Sequence, residues 1–294
     1  MPKKTLLSLL LIGGLSAKAA VNVAATTSNM GMLVRTIGGD SVKVTVLAPP
    51  DRDPHFLQAK PSMMMALRNA DLLVSVGAEL EQGWLPAAVQ GASNPKILVG
   101  QPGYFEACAQ VPLIDKADAS DRSRGDVHPM GNPHVFLDPE RMSEIGRALA
   151  GRLARLYPAG EARFRESAEQ FAKRAAERVA QWKKTAAGAP GALLYHKDSN
   201  YLLALLGVPI LGYVEPLPGI PPTAEHLSGL VGQLKGRRGV VLYTDYQSSQ
   251  GPAFLARALG WPQSRLAPEV ALNGDASAYF EMIDRWVNGV ASGK

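Results

Sequence analysis

The stretch 159–187 most constrains what this chain can become. It is rich in Ala, Arg, Glu and Lys, and Phe164, Ala168, Phe171, Ala175, Val179 and Trp182 recur at helical spacing. Pro158 stands where such a helix would begin, and Gly188-Ala189-Pro190-Gly191 would end it. At about 1.5 Å per residue the helix would run for roughly 40 Å, longer than one small domain needs. It reads as a strut, with a lobe on either side.

Both flanks have an α/β texture. Before the strut, 21–25, 42–47, 71–76 and 96–99 read as strands, and 28–37, 61–69 and 84–90 as helices. After it come strands at 192–195, 208–214 and 240–244, and helices at 199–206, 223–234, 252–259 and 276–288. Strands alternating with helices imply βαβ units and a parallel sheet. Thr27-Ser28-Asn29 opens a helix that leads to a strand and a Pro-Pro loop, and Asp198-Ser199-Asn200 opens another that leads to a strand and a Pro-rich loop. The expected fold class is therefore α/β: two similar lobes with mainly parallel four-stranded sheets, joined by one long rigid α-helix. The expected division is 20–140 for the first lobe, 141–188 for a helical region holding the strut, and 189–294 for the second lobe.

Three of the five histidines stand in stiff loops. His55 closes Asp53-Pro54-His55 and His134 closes Asn132-Pro133-His134, where proline restricts the residue before it. His134 and His128 share the stretch 125–139, whose three prolines and two glycines argue for a loop rather than a helix. His196 directly follows the 192–195 strand and His55 follows the 42–47 strand. Ligands in open α/β sheets bind at the carboxyl ends of strands, so both rings fall on rims that could face each other. Gaps of 79 and 62 residues exclude a zinc finger or a His-Glu-x-x-His helix. A metal site built from His55, His134 and His196 must be assembled by the fold across both lobes. Spacing alone leaves three unrelated loop histidines as the alternative.

Residues 1–19 stand outside that fold. Lys3 and Lys4 precede an apolar run, 5–16, too short to span a bilayer, and Ala17-Lys18-Ala19 supplies small residues for cleavage. This is the pattern of a cleavable secretory signal. The net charge of +5 falls to +2 without its three lysines, which leaves no electrostatic footprint for nucleic acid. No later run of some twenty apolar residues would span a membrane. The one cysteine, Cys108, can form no intramolecular disulfide, and no cysteine follows the signal to carry a lipid anchor. A protein exported without an anchor is retained by a second membrane, so the expected location is a Gram-negative periplasm.

Several motifs resemble a known family in its own order: Asp53-Pro54-His55 with Lys60-Pro61-Ser62 and Ala70-Asp71-Leu72-Leu73; Gly131-Asn132-Pro133-His134 with Leu137-Asp138-Pro139; Tyr195-His196-Lys197; and Glu215-Pro216-Leu217-Pro218-Gly219-Ile220-Pro221-Pro222 with His226. Nearly the whole chain after the signal resembles the TroA-like (cluster A-I) receptors of zinc and manganese ABC importers. That resemblance implies two α/β lobes on one long helix, with a metal in the cleft held by three histidines, or two and a glutamate, plus a carboxylate from the second lobe. His55, His134 and His196 match the ligand positions. The family places the carboxylate in a loop before the last helix, where Asp275 is the only acid between 272 and 280. A helix N-cap is the alternative role for Asp275; Asp245, Glu281, Asp284 or water are the other candidates for the fourth place.

Members specific for zinc often carry a long His- and Asp-rich loop near His128. Here it is short, with Asp118, Asp121 and Asp126, and His128 is either a transient or second-site ligand or part of a solvated loop. His226, inside a helix, is expected to make a structural hydrogen bond, and Asp138 to cap the helix that starts at Pro139. Three imidazoles and a carboxylate suit tetrahedral Zn(II), with Mn(II) the runner-up because it favours oxygen-rich sites. The implied function is a monomeric, non-enzymatic receptor that captures zinc and delivers it to an ABC permease in the inner membrane. A manganese receptor, a metallochaperone or an adhesin would use the same site. A zinc hydrolase would need an open coordination position and a base, for which Glu215 is the best spare acid.

Overall fold

The protein is described from a computed structural model, which covers residues 20–116 and 128–294. The signal segment and the acidic stretch with Asp118, Asp121 and Asp126 lie outside the described residues. The first sheet is built from β1 (Val21–Ala25), β2 (Val42–Val46), β3 (Leu72–Ser75) and β4 (Tyr104–Glu106), in the order β2-β1-β3-β4 and parallel throughout. β3 is buried at every position, as a parallel strand covered on both faces should be. The sheet's helices are α1 (Ser28–Gly38), whose first turn is capped by the Thr27 hydroxyl, α2 (Pro61–Arg68) and α3 (Leu85–Ala92).

Residues 96–99 are not the fourth strand. Asn94 accepts the Lys96 N–H and Pro95 fixes its own φ, so Pro95–Ile97 closes as a 3-10 turn that leaves Val99 80% exposed. The edge position passes to Tyr104–Glu106, three residues too few to show a period.

Two helices follow, α4 (Pro139–Leu156) and α5 (Glu161–Ala186). Asp138 caps α4 as expected, accepting from the N–H groups of Glu140 and Arg141. The 26 residues of α5 span about 39 Å. Their buried face is the predicted one: Phe164, Ala168, Phe171, Ala175, Val179 and Trp182.

The second sheet repeats the first. β5 (Ala192–Leu194), α6 (Asn200–Leu206), β6 (Ile210–Tyr213), α7 (Ala224–Leu234), β7 (Val240–Thr244), α8 (Gln250–Leu259), β8 (Gln263–Leu266) and α9 (Ala276–Ala291) give the order β6-β5-β7-β8, again parallel. β8 has no counterpart among the sequence expectations. Its Gln-Ser-Arg-Leu is polar and mostly exposed at the sheet edge, so no apolar run announces it.

One contiguous apolar core runs from β1 and α1 through α4 and α5 to β7 and α9. Polar ties reinforce it between the sheets. Glu269, just after β8, accepts the Asn29 N–H at 2.6 Å, and Asn29 in turn reaches Pro268 O and Val270 N. Trp182 on α5 donates its Nε1–H to Asp284 on α9 at 2.6 Å. Tyr279, also on α9, donates its hydroxyl to Phe136 O at 2.9 Å.

Candidate metal centre

Each of the three predicted rings sits where a strand or loop ends against the gap between the sheets. His55 lies in the 3-10 turn Pro54–Phe56 beyond β2, and the turn is pinned by Trp84, whose Nε1–H donates to Pro54 O at 2.9 Å. His134 precedes the 3-10 turn Val135–Leu137 that leads into α4. His196 follows β5 with one residue between. One ligand nitrogen from each of the three lies within 4.8 Å of the others. The ring centroids are 5.3 Å apart for His55 and His134, 5.2 Å for His134 and His196, and 5.7 Å for His55 and His196.

Hydrogen bonds decide which nitrogen faces the centre. Asp53 Oδ1 takes His55 Nδ1 at 2.7 Å, Asn132 Oδ1 takes His134 Nδ1 at 2.7 Å, and Glu215 Oε2 takes His196 Nδ1 at 2.9 Å. Each Nδ1 is thereby the protonated nitrogen, and each Nε2 presents a lone pair to the others. This is how metal-binding imidazoles are normally oriented. The Asn132 amide cannot turn over, because its Nδ2 donates to Lys197 O at 2.9 Å and to Asp115 Oδ2 at 3.1 Å. One side chain thus aims His134 and also holds the chain beside His196.

The charges around the cluster are uneven. His134 is 1% exposed, and its Nε2 has no hydrogen-bond partner among the described residues. Burial, then the neighbouring imidazoles, holds its pKa well below the ordinary 6.5, so the ring is neutral and ready to coordinate. His196 goes the other way. Burial pulls it down, but the Glu215 hydrogen bond and the Asp198, Glu215 and Asp53 carboxylates outweigh burial and leave it raised. Burial likewise pushes Asp53 up, and its bond to His55 overcomes this, so the carboxyl ends below its usual range.

Asp275 is not brought into the centre. It is exposed at the N-cap of α9, where its Oδ1 accepts the Ala278 N–H at 2.9 Å. The cap satisfies an otherwise unpaired helix donor, and that use of the carboxylate displaces the expected one. Replacing Asp275 with alanine should therefore cost ~1 kcal/mol of stability in thermal or urea unfolding and leave metal affinity unchanged. The carboxylate that approaches an Nε2 of the cluster is instead Asp198, 4% exposed, with Oδ1 3.6 Å from His134 Nε2 and Oδ2 accepting from Gln247.

The remaining candidates have other work. Asp284 joins α9 to α5, Glu281 is exposed, and His226 bonds Tyr213 O at 3.0 Å, the structural role expected of it. Glu215 is occupied by His196 and by the Gly219 N–H. Cys108 is buried, and burial pushes its thiol pKa up, away from the reactive thiolate. The ring-orienting acceptors were not assigned from sequence, yet two had a signal. Asp53 and Asn132 each stand two residues before their histidine, across a proline.

Known proteins bear on this geometry. A family model described as "Zinc-uptake complex component A periplasmic" matches residues 23–293. The chain is 24% identical over 257 residues to the high-affinity zinc uptake system protein ZnuA of Yersinia pestis, covering 82% of this chain and 80% of that protein. It is 22% identical over 245 residues to the iron ABC transporter substrate-binding lipoprotein MtsA of Streptococcus pyogenes serotype M1, covering 79% and 74%. Its fold is similar to that of FpvC from Pseudomonas aeruginosa, solved in complex with Mn2+, with a TM-score of 0.77 at 24% identity over 92% of this chain and 97% of that one.

Proposed function

Because the chain belongs to the zinc-uptake complex component A family and is a metal-binding receptor of an ABC transporter, we propose that its cargo is Zn(II), held by His55, His134 and His196 in the periplasm and passed to an ABC permease in the inner membrane. The observation that carries this is the convergence of three Nε2 lone pairs whose opposite nitrogens are all tied to acceptors. Imidazoles suit Zn(II) better than Mn(II), and the relatives' own metals include zinc, manganese and iron, so ligand chemistry rather than kinship supports the choice. Zn–N bonds of about 2.0–2.1 Å would draw the nitrogens to about 3.3–3.4 Å apart, a short inward movement from 4.8 Å at most. The signal-like residues 1–19 support export; some relatives are lipoproteins.

The hydrolase alternative loses support at Glu215, whose carboxylate is committed to orienting His196. Manganese as cargo would be favoured by oxygen donors, and none is among the three converging atoms.

Titrating metal-free protein with Zn(II) against a chromophoric chelator should give one tight equivalent, and elemental analysis of protein purified without added metal should find zinc. Absence of tight binding would defeat the proposal. The pH dependence should be shallow. In metal-free protein His134 stays neutral to lower pH than an ordinary imidazole, whereas His196, its pKa raised, takes up a proton on Nε2 sooner as pH falls, and the ion must then displace it. Below the His196 pKa, apparent affinity should fall about tenfold per pH unit as pH drops. Affinity independent of pH down to about 4 would contradict imidazole ligation.

A further inference from the structure

We propose that His128 is the fourth ligand of this metal, which makes the centre a four-imidazole site; the inference rests on the proposed three-histidine site and extends it.

His128 Nδ1 lies 3.0 Å from Ala78 O. A carbonyl can only accept, so Nδ1 carries the proton and Nε2 the lone pair. His55 is in the same state, because Asp53 holds its Nδ1. The two Nε2 atoms nevertheless lie 3.2 Å apart. Two lone pairs at that distance repel unless something positive stands between them. The separation is close to the edge of a tetrahedron with Zn–N bonds of about 2.0–2.1 Å, which is about 3.3–3.4 Å.

One ring position already fits. Four imidazoles around one tetrahedral ion have centroids roughly 5.2 Å apart. His128 lies 5.2 Å from His55 but 6.3 Å from His134, and it stands outside the group whose nitrogens already lie within 4.8 Å of one another, so it must swing inward to reach the ion.

The acceptor that aims His128 is itself unusual. Ala78 has φ 47° and is flanked by Gly77 at 85° and Glu79 at 69°, so three successive residues are left-handed where only glycine is at ease. This turn after β3 presents the Ala78 carbonyl to the ring. It is the same kind of provision that Asp53, Asn132 and Glu215 make for the other three.

The consequence concerns selectivity. Four nitrogen donors exclude the oxygen-rich coordination that Mn(II) favours, while Asp53, Asp198 and Glu215 balance the ion's charge without binding it. His128 would then separate this chain's preference from that of a three-nitrogen, one-oxygen site.

The experiment uses the full exported protein with one equivalent of Zn(II). X-ray absorption at the zinc edge should show four imidazoles in the wild type, and three imidazoles plus one oxygen donor in His128→Ala. His128→Ala should lose at least about 100-fold in zinc affinity, since even removing a ring-orienting partner costs 10- to 100-fold. Its preference for Zn(II) over Mn(II) should narrow. Three imidazoles in the wild type, with unchanged affinity in His128→Ala, would overturn the inference and leave the three-histidine site standing. So would a large loss in Asp198→Asn with none in His128→Ala, which would give the fourth place to Asp198. Failure of the wild type to bind zinc would instead refute the proposed function. Should His128→Ala not fold, the wild-type imidazole count decides alone.

Discussion

Replacing His134 with alanine is expected to lower zinc affinity by ~100- to 1000-fold with the fold intact. Four-ligand zinc sites gain about 10–16 kcal/mol on binding, so one ligand's share is about 2.5–4 kcal/mol. At 1.4 kcal/mol per factor of ten this gives the stated range. His134 is the most informative of the rings to remove. It is buried, its Nε2 has no partner, and it sits between the other rings, 5.3 Å from His55 and 5.2 Å from His196. The local backbone should survive, because Asn132 Oδ1 also accepts the His134 backbone N–H at 2.9 Å, a bond alanine keeps. Chelator competition measures the loss, and circular dichroism of the metal-free variant checks the fold. The same change at His226, whose ring serves Tyr213 O instead, should leave affinity unaltered. Wild-type affinity in His134→Ala would remove the centre of the site.

Most of this arrangement was legible because it rests on local signals. Both halves announce parallel sheets by short apolar runs alternating with helices, and α5 by a face of apolar residues sustained over about five turns. His55 and His134 were visible because proline-stiffened loops are poor places for core packing, and His196 because it directly follows a strand. What was hidden depends on contacts distant in sequence. His128 is oriented by the Ala78 carbonyl 50 residues earlier, and Asn132 is held by Lys197, 65 residues later. The place of Asp275 was not legible because an acid just before a helix fits a ligand loop and an N-cap equally well, and its carboxylate caps α9. β8 was missed because an edge strand needs no apolar face, and β4 because three residues carry no pattern.

Phe280→Ala should be the most damaging change far from the metal, costing about 3–5 kcal/mol in metal-free protein. The residue is 1% exposed on α9 and stacks on Phe171 of α5 with centroids 5.2 Å apart. Trp182 lies 6.3 Å away, and Arg174 of α5 covers the ring at 4.8 Å. These contacts fasten the second sheet's last helix to the strut, so the cavity would open in the element that sets the distance between the sheets. At 2–4 °C per kcal/mol, the melting temperature should fall by roughly 6–20 °C. Zinc at a thousand times its dissociation constant should restore about 4 kcal/mol, because only the folded state holds the rings together. Metal affinity itself should drop much less than in His134→Ala. The link is indirect: Tyr279, the neighbour of Phe280, holds Phe136 O two residues beyond His134. A loosened strut disturbs the aim of one ring without removing a ligand. A fall in melting temperature below about 2 °C would mean that the α5–α9 contact does not brace the sheets, and that the three-ring geometry is kept by bonds between them such as those of Asn132 and Asn29.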